Sequence, residues 1–192
     1  MDVQNSLSDE LLLQAYARGD SGAAEALTAR LLPAVYRQAS RLLGDPAEAE
    51  DVAQEAMLRL WQIAGEWRSG EAKPSTWLFR VTANLCTDQL RKRRGVGLDE
   101  IAEPLDDAPT ADARLQSQTR LDALQHGLNQ LPERQRQAVV LRHIEGLSNP
   151  QIAEIMDIGP RAVESLTARG KRALVDILAG RKAELGFEDD TA

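Results

Sequence analysis

Apolar residues recur every three to four positions along most of this chain, and no stretch alternates apolar and polar residues as a strand would. Alanine and leucine dominate the apolar positions, which favours helices over strands. The pattern therefore predicts a chain built almost wholly of helices. The predicted helices cover residues 8–18, 22–43, 46–64, 75–94, 117–130, 133–146, 148–156 and 160–179.

Residues typical of helix ends punctuate this pattern. Gly44 has the residue type of a C-terminal stop, and Asp45 with Pro46 has the types of an N-cap and a first helical position. We expect Ser75 to cap the fourth helix, and Ser148 to open a short helix through a capping box with the glutamine three residues later. These signals fix where several helices begin.

Charge is distributed unevenly, and this changes how the net charge of −7 is interpreted. Residues 1–94 carry 12 basic and 13 acidic groups, whereas residues 118–182 carry ten basic and seven acidic groups. Between them, residues 95–117 hold six acidic groups, one basic group and no sustained apolar period, and the last ten residues hold four acidic groups and no basic one. The overall acidity argues against a nucleic-acid binder, but the basic segment over residues 118–182 does not.

We therefore predict an all-α fold with two small helical domains, over 1–94 and 118–182, joined by a flexible acidic linker over 95–117. An acidic tail over 183–192 follows the second domain. The alternative for the middle segment is a long surface loop within one domain.

Several classes of protein are disfavoured by composition. One cysteine precludes an intramolecular disulfide and a CxxC metal pair, and no apolar run is long enough for a transmembrane helix. The acidic N-terminus does not have the pattern of a secretory signal, so we expect a cytoplasmic protein. His126 and His143 have no companions at metal-ligand spacing, and no phosphate-binding glycine loop or nucleophile elbow is present. We expect no metal, no cofactor and no enzymatic activity, and structural roles for both histidines.

The fourth predicted helix separates into two faces at 100° per residue. Its apolar arc includes Leu78, Phe79 and Cys86, and an opposite narrow arc holds Arg80 and Asn84 with tryptophans nearby. Basic groups neutralise phosphates, aromatic rings stack on unpaired bases, and an asparagine can read a base edge. The alternative is an ordinary amphipathic helix with buried tryptophans and arginines that complement the helix dipole.

The last two predicted helices fit a helix-turn-helix. Ala153 is small enough to let the helices approach, apolar residues fill the angle between them, and the turn contains Gly159. Arg161, Ser165 and Arg172 share the outer face of the last helix, as a duplex-reading helix requires. A plain helical hairpin is the alternative, but the capping box, turn and basic face together favour DNA binding.

These features together resemble a bacterial RNA polymerase sigma factor of the extracytoplasmic-function (ECF) group of the sigma-70 family. The resemblance spans nearly the whole chain. It rests on DPAEAEDVAQEAMLRLW at 45–61, STWLFRVTAN at 75–84, an arginine-rich helix end, LPERQR at 131–136, EGLS at 145–148 and the helix-turn-helix.

The resemblance implies three groups of binding residues and no catalytic ones. Core polymerase would bind at Asp51, Gln54, Glu55, Leu58 and Trp61. The −10 promoter element would contact Trp67, Lys73, Ser75, Trp77, Arg80, Asn84, Arg91 and Arg94. The −35 element would contact Arg161, Glu164, Ser165, Arg169, Lys171 and Arg172. Core RNA polymerase, duplex and melted promoter DNA, and an anti-sigma protein are the implied partners, with no membrane insertion.

Glu164 and Leu166 stand where the family often has basic residues, so the promoter sequence is open. An ordinary helix-turn-helix repressor or response-regulator output is the first rival interpretation, and an enzyme or metalloprotein is the second. The tryptophan-rich first half and the acidic middle segment disfavour the repressor or response-regulator interpretation.

Overall fold

The structure, a computed structural model, describes residues 7–68, 70, 72–96 and 112–179, and every regular element in these ranges is helical. The all-α prediction is confirmed. The first half holds four α-helices, which are α1 Asp9–Ala17, α2 Ser21–Leu43, α3 Pro46–Ile63 and α4 Pro74–Val96. The second half holds α5 Asp112–Gln130, α6 Glu133–Val139, α7 Asn149–Met156 and α8 Pro160–Ala179. Ala64–Glu66 form a short 3₁₀ turn after α3, and Val140–Ile144 form a π-turn after α6.

The capping residues predicted from the sequence lie at the helix ends, with one exception. The Asp45 carboxylate accepts from the Glu48 N–H at 3.0 Å, and Gly44 ends α2 with a φ of 70°. The Gln151 side-chain oxygen accepts from the Ser148 N–H at 2.9 Å, as in the predicted capping box. The exception is Ser75, which is the second residue of α4 rather than its cap, because Pro74 already occupies the first helical position.

The helices on either side of the predicted linker extend into residues 95–117. Helix α4 continues to Val96, and α5 begins at Asp112, so both ends of the acidic segment are helical. Residues 97–111 and the acidic tail lie outside the described residues.

Three apolar clusters hold the helices together, and only the first lies within one half. It joins α1, α2, α3 and α4 through buried side chains such as Leu12, Leu27 and Leu60. The second cluster packs Cys86 and the end of α2 against Leu128 and Val140. The third places Phe79 of α4 among buried residues of α6, the π-turn, α7 and α8: Ala138, Leu141, Ile152, Ile155, Met156 and Val163.

The two halves therefore share a continuous apolar seam, which we define as the contact between residues 7–96 and 112–179. Its close approach is evident at Gly44, where an added Cβ would stand 2.7 Å from the Asn129 side-chain nitrogen. No spacing rule in the sequence indicated this packing. Within the described residues, no helix has both the length and the apolar character needed to cross a membrane.

Replacing Gly170 by alanine should destabilise the chain. An added Cβ would stand 2.7 Å from Val139 Cγ2 and 3.1 Å from the Gln135 carbonyl oxygen, so α6 and α8 would have to separate. Such overpacking costs about 1–3 kcal/mol of unfolding free energy, measurable by urea titration. Gly159→Ala is the control, because nothing lies within 4 Å of its added Cβ. Equal stability of the two variants would contradict the close crossing.

The stability should fall in alkali because of Cys86. Burial, with smaller contributions from the nearby carboxylates of Glu48 and Glu133, raises the pKa of this thiol from its usual 9.0 to about 12. The unfolded chain therefore loses this proton first, so stability is intact below pH 9 and declines between pH 9 and 12. Relative to Cys86→Ala, the unfolding free energy should fall by about 1.4 kcal/mol per pH unit in that window. Parallel pH profiles for the two proteins would show that the thiol stays accessible.

Candidate nucleic-acid interface

The outer face of α3 carries an exposed apolar residue within an acidic surface. Leu58 is 54% exposed, and Asp51, Gln54 and Glu55 are also exposed. Trp61 is half-buried, with its ring centroid 4.6 Å from that of Tyr16. The five predicted polymerase contacts thus lie on one helix, four of them open to a partner.

This acidic surface continues into a groove between α3 and α4. The groove has a volume of about 550 Å³, and Asp51, Glu55 and Arg59 line one wall while Asp88 and Lys92 line the other. An ion pair of 2.7 Å joins Glu55 to Arg59 on the same helix. The groove therefore presents alternating charges rather than a field of one sign.

Two tryptophans form a pocket where the loop after α3 meets the start of α4. Trp67 and Trp77 are in edge-to-face contact, with ring centroids 6.1 Å apart and planes at 83°. They line a cavity of about 230 Å³ together with Ile63, Glu66, Arg68 and Ala72. Among the described residues, the buried indole N–H of Trp67 has no acceptor. The pocket thus offers aromatic side chains to a ligand.

The exposed stripe of α4 begins beside this pocket. Arg80 and Asn84 are exposed one turn apart, and Arg91 is exposed with its guanidinium 3.4 Å from the Asp88 carboxylate. Lys73 precedes the helix and is exposed, whereas Ser75 is half-buried in its first turn. The structure thus brings the Trp67–Trp77 pocket and the Arg80–Asn84 stripe onto one side of α4.

Arg94, at the end of this stripe, is engaged by the second half of the chain. Its guanidinium lies 2.6 Å from the carboxylate of Glu133. Neighbouring Arg93 donates to Glu48 at 3.0 Å and to the Leu43 carbonyl at 3.2 Å, which anchors α4 to the corner between α2 and α3. The two adjacent arginines therefore hold different parts of the chain.

Helices α7 and α8 pack together in a way that is compatible with the predicted helix-turn-helix. Ile152 and Val163 are fully buried between them, and Asp157 makes the turn in the left-handed region with a φ of 52°. The six predicted −35 contacts are all exposed on α8. The Asn149 amide donates to the Glu164 carboxylate at 3.5 Å, which connects the two helices. This link was not anticipated from the sequence.

The two histidines, for which we expect structural roles, lie at the surface. His126 and His143 are both exposed. Partial desolvation, with Lys171 and Arg142 nearby, lowers the pKa of His143 and favours its neutral form. The described part of the chain contains no group of three or more metal-ligating side chains suited to an ion.

Comparison with known proteins matches both halves to one family. The model of Sigma-70 region 2 matches residues 27–96, and that of Sigma-70, region 4 matches residues 121–174. The chain is 36% identical to the ECF RNA polymerase sigma factor SigE of Mycolicibacterium smegmatis, over 78% of this chain and 59% of that protein. It thus spans less than two thirds of that relative's length. It is 34% identical to SigM of Mycobacterium tuberculosis, over 89% of this chain and 85% of that protein.

Solved structures share this fold over both halves. The structure of CnrH in complex with the cytosolic domain of CnrY has a TM-score of 0.68 and 26% identity, covering 90% of this chain and 97% of that chain. The sigma factor RpoE of Bartonella quintana, solved with the anti-sigma factor NepR, has a TM-score of 0.64 and 24% identity. That likeness covers 79% of this chain and 94% of that one.

Proposed function

Because the chain belongs to the extracytoplasmic-function group of the sigma-70 family of RNA polymerase sigma factors, we propose that it binds core polymerase and directs it to promoters. The observation that carries the proposal is the Trp67–Trp77 pocket beside the exposed Arg80–Asn84 stripe. A protein that opens promoter DNA needs such a site, which an ordinary duplex-binding repressor does not.

The pocket would receive a base of the melted −10 element. Stacking on an aromatic face is worth about 1–3 kcal/mol per base, comparable with the few kcal/mol needed to unstack and unpair one base. Asn84 would contact a base edge, while Lys73, Arg80 and Arg91 would neutralise phosphates of the same strand.

Helix α8 would read the −35 element as duplex. Its exposed face offers Arg161 and Arg172 to the major groove, and Arg169 and Lys171 to phosphates. Ser165 lies on the same face. Glu164 would accept from a cytosine amino group, a contact that the Asn149 amide would support.

Helix α3 would dock on core polymerase. An exposed leucine surrounded by Asp51, Gln54 and Glu55 suits a partner helix that carries basic residues around an apolar patch. We also propose an anti-sigma regulator, because CnrH, which shares the fold over 90% of this chain, was solved with a partner's cytosolic domain. A protein with this function would act in the cytoplasm with core polymerase, without a catalytic step of its own.

Transcription reconstituted with purified core polymerase tests the proposal as a whole. The chain should direct initiation at promoters found by transcript mapping after its overexpression. Tight binding of the chain alone to duplex promoters, together with failure to direct core polymerase, would instead identify a repressor.

Asn84→Ala should impair promoter opening while leaving binding to core polymerase unchanged. A lost base-edge contact is worth about 1–3 kcal/mol, so open complexes detected by permanganate reactivity should fall roughly 5- to 150-fold. Gln130→Ala is the control, since it also removes an exposed amide, outside every proposed contact. A parallel loss of polymerase affinity would remove the assigned role.

Arg172→Ala should weaken recognition of the −35 element without changing affinity for polymerase. We expect a loss of about 1–3 kcal/mol at a promoter with an intact −35 element and little change where that element is scrambled. Arg134→Ala removes an equally exposed charge elsewhere in the second half. If both variants lose the same affinity on both promoters, Arg172 provides only general charge.

A further inference from the structure

Helix α1 is held at both of its ends by neighbouring helices. At its start, the Arg30 guanidinium of α2 donates to the Leu7 carbonyl and to the Asp9 carboxylate, both at 2.8 Å. Near its end, the Tyr16 ring lies 4.6 Å from the Trp61 ring of α3, measured between centroids. The buried face of α1 belongs to the first apolar cluster. Helix α1 therefore has a fixed position on α2 and α3.

One acidic side chain of this fixed helix contacts the loop that forms the tryptophan pocket. The Glu10 carboxylate accepts a hydrogen bond from the Gly70 backbone N–H at 3.0 Å, although 60 positions separate the two residues. Arg68 and Ala72, which lie on either side of Gly70, both line the cavity of about 230 Å³. The contact with Glu10 therefore restrains the part of the loop that shapes the pocket.

The turn at Gly70 depends on its backbone rather than on side-chain packing. Its φ is 88°, in the left-handed region that glycine adopts without the steric cost of a side chain. Among the described residues, no atom lies within 4 Å of a Cβ added there. Because a charged acceptor forms a stronger hydrogen bond than a neutral one, the Glu10 carboxylate is well suited to hold this turn.

A restrained loop assists base capture because less conformational entropy is lost when the base enters. The charge of Glu10 acts in the opposite direction, since a carboxylate near the site repels the phosphates of the strand. Loss of this side chain should therefore weaken DNA binding if the restraint matters more, and strengthen it if the charge matters more. The two effects differ in sign, so an experiment can separate them.

We propose that Glu10 is a positioning residue for base capture, because its carboxylate holds the turn at Gly70 and so shapes the tryptophan pocket before a melted base enters. This inference rests on the proposed function, since it concerns what sets the shape of the −10 site. Glu10 acts through the backbone of the loop and not through contact with DNA. Helix α1 thereby contributes to promoter opening, although none of the predicted −10 contacts lies on it.

Amide hydrogen exchange at Gly70, followed by NMR in the full-length chain, tests the contact itself. Glu10→Ala should accelerate this exchange at least fivefold, because the N–H loses its acceptor. Glu10→Gln keeps a side-chain oxygen and should restore most of the protection. Glu25→Ala removes an exposed carboxylate from α2 and should leave the rate at Gly70 unchanged. Equal exchange at Gly70 in the native chain and in Glu10→Ala would overturn the proposal.

The consequence for base capture is measured on the complex with core polymerase. The probe is a single-stranded oligonucleotide that carries the −10 element of a promoter found by transcript mapping. Glu10→Ala should weaken its binding about 3- to 10-fold, and Glu10→Gln less than twofold, with unchanged far-UV circular dichroism and polymerase affinity. Glu25→Ala, which removes the same charge, should bind equally well or more tightly. Equal or tighter binding by Glu10→Ala would contradict the positioning role.

A double-mutant cycle locates the effect in the turn. Gly70→Ala strains the same backbone through its positive φ, so it should also weaken binding of the −10 oligonucleotide. Adding Glu10→Ala to Gly70→Ala should then cost less than Glu10→Ala costs in the native chain. Fully additive losses would overturn the positioning role and leave the proposed function intact. If the native complex binds the −10 oligonucleotide no better than a scrambled one, the proposed function fails instead, and exchange at Gly70 still decides whether Glu10 holds the turn.

Discussion

Helix α4 contributes a buried side chain to each of the three apolar clusters, and the rest of the structure depends on this. Leu78 lies in the core of the first half, Cys86 faces the end of α2 and helices α5 and α6, and Phe79 lies among α6, α7 and α8. A helix buried on so many sides has only a narrow strip left for solvent. That strip holds Arg80, Asn84 and Arg91, so the packing of the core determines which residues of α4 can meet a ligand.

The same packing explains why polar groups inside the seam are so specific. The Gln38 amide is fully buried and donates to the Phe79 carbonyl at 3.1 Å, which holds α4 against α2 where the second half makes contact. The Arg136 guanidinium, from α6 of the second half, donates to the Leu42 carbonyl near the end of α2 at 2.6 Å. An unpaired buried polar group costs more than a paired one returns. The Arg136 contact therefore favours one arrangement of the halves, whereas the Gln38 contact fixes α4 on α2 within the first half.

Local signals predicted most of the fold. The caps at Asp45 and Ser148 and the stop at Gly44 are chemical properties of a few adjacent residues, so the sequence reveals them directly. Ser75 was wrongly predicted as the N-cap of α4, because serine is a common N-cap residue. The preceding proline fits the first helical turn, so the helix begins at that proline instead. Both ends of the acidic segment are helical in the structure, although their charge pattern indicated a linker.

For the candidate site as well, the sequence predicted some features and missed others. Helical spacing alone placed Arg80 with Asn84, and Arg161 with Arg172, on exposed faces. The seam could not be predicted, because pairs such as Arg37 with Glu145 join residues 108 positions apart and leave no periodic trace. The occupation of Arg94 by Glu133 was missed for the same reason. Long-range pairing of ordinary surface charges becomes visible only once the helices are placed.

The uneven charge of the chain affects how it encounters DNA. A net charge of −7 disfavours encounters between the free chain and DNA, and ion pairs across the seam neutralise part of the basic surface that remains. Arg37 and Arg94, which make two of these pairs, keep 48% and 68% of their side chains exposed, so the pairs lower their effective charge without covering them.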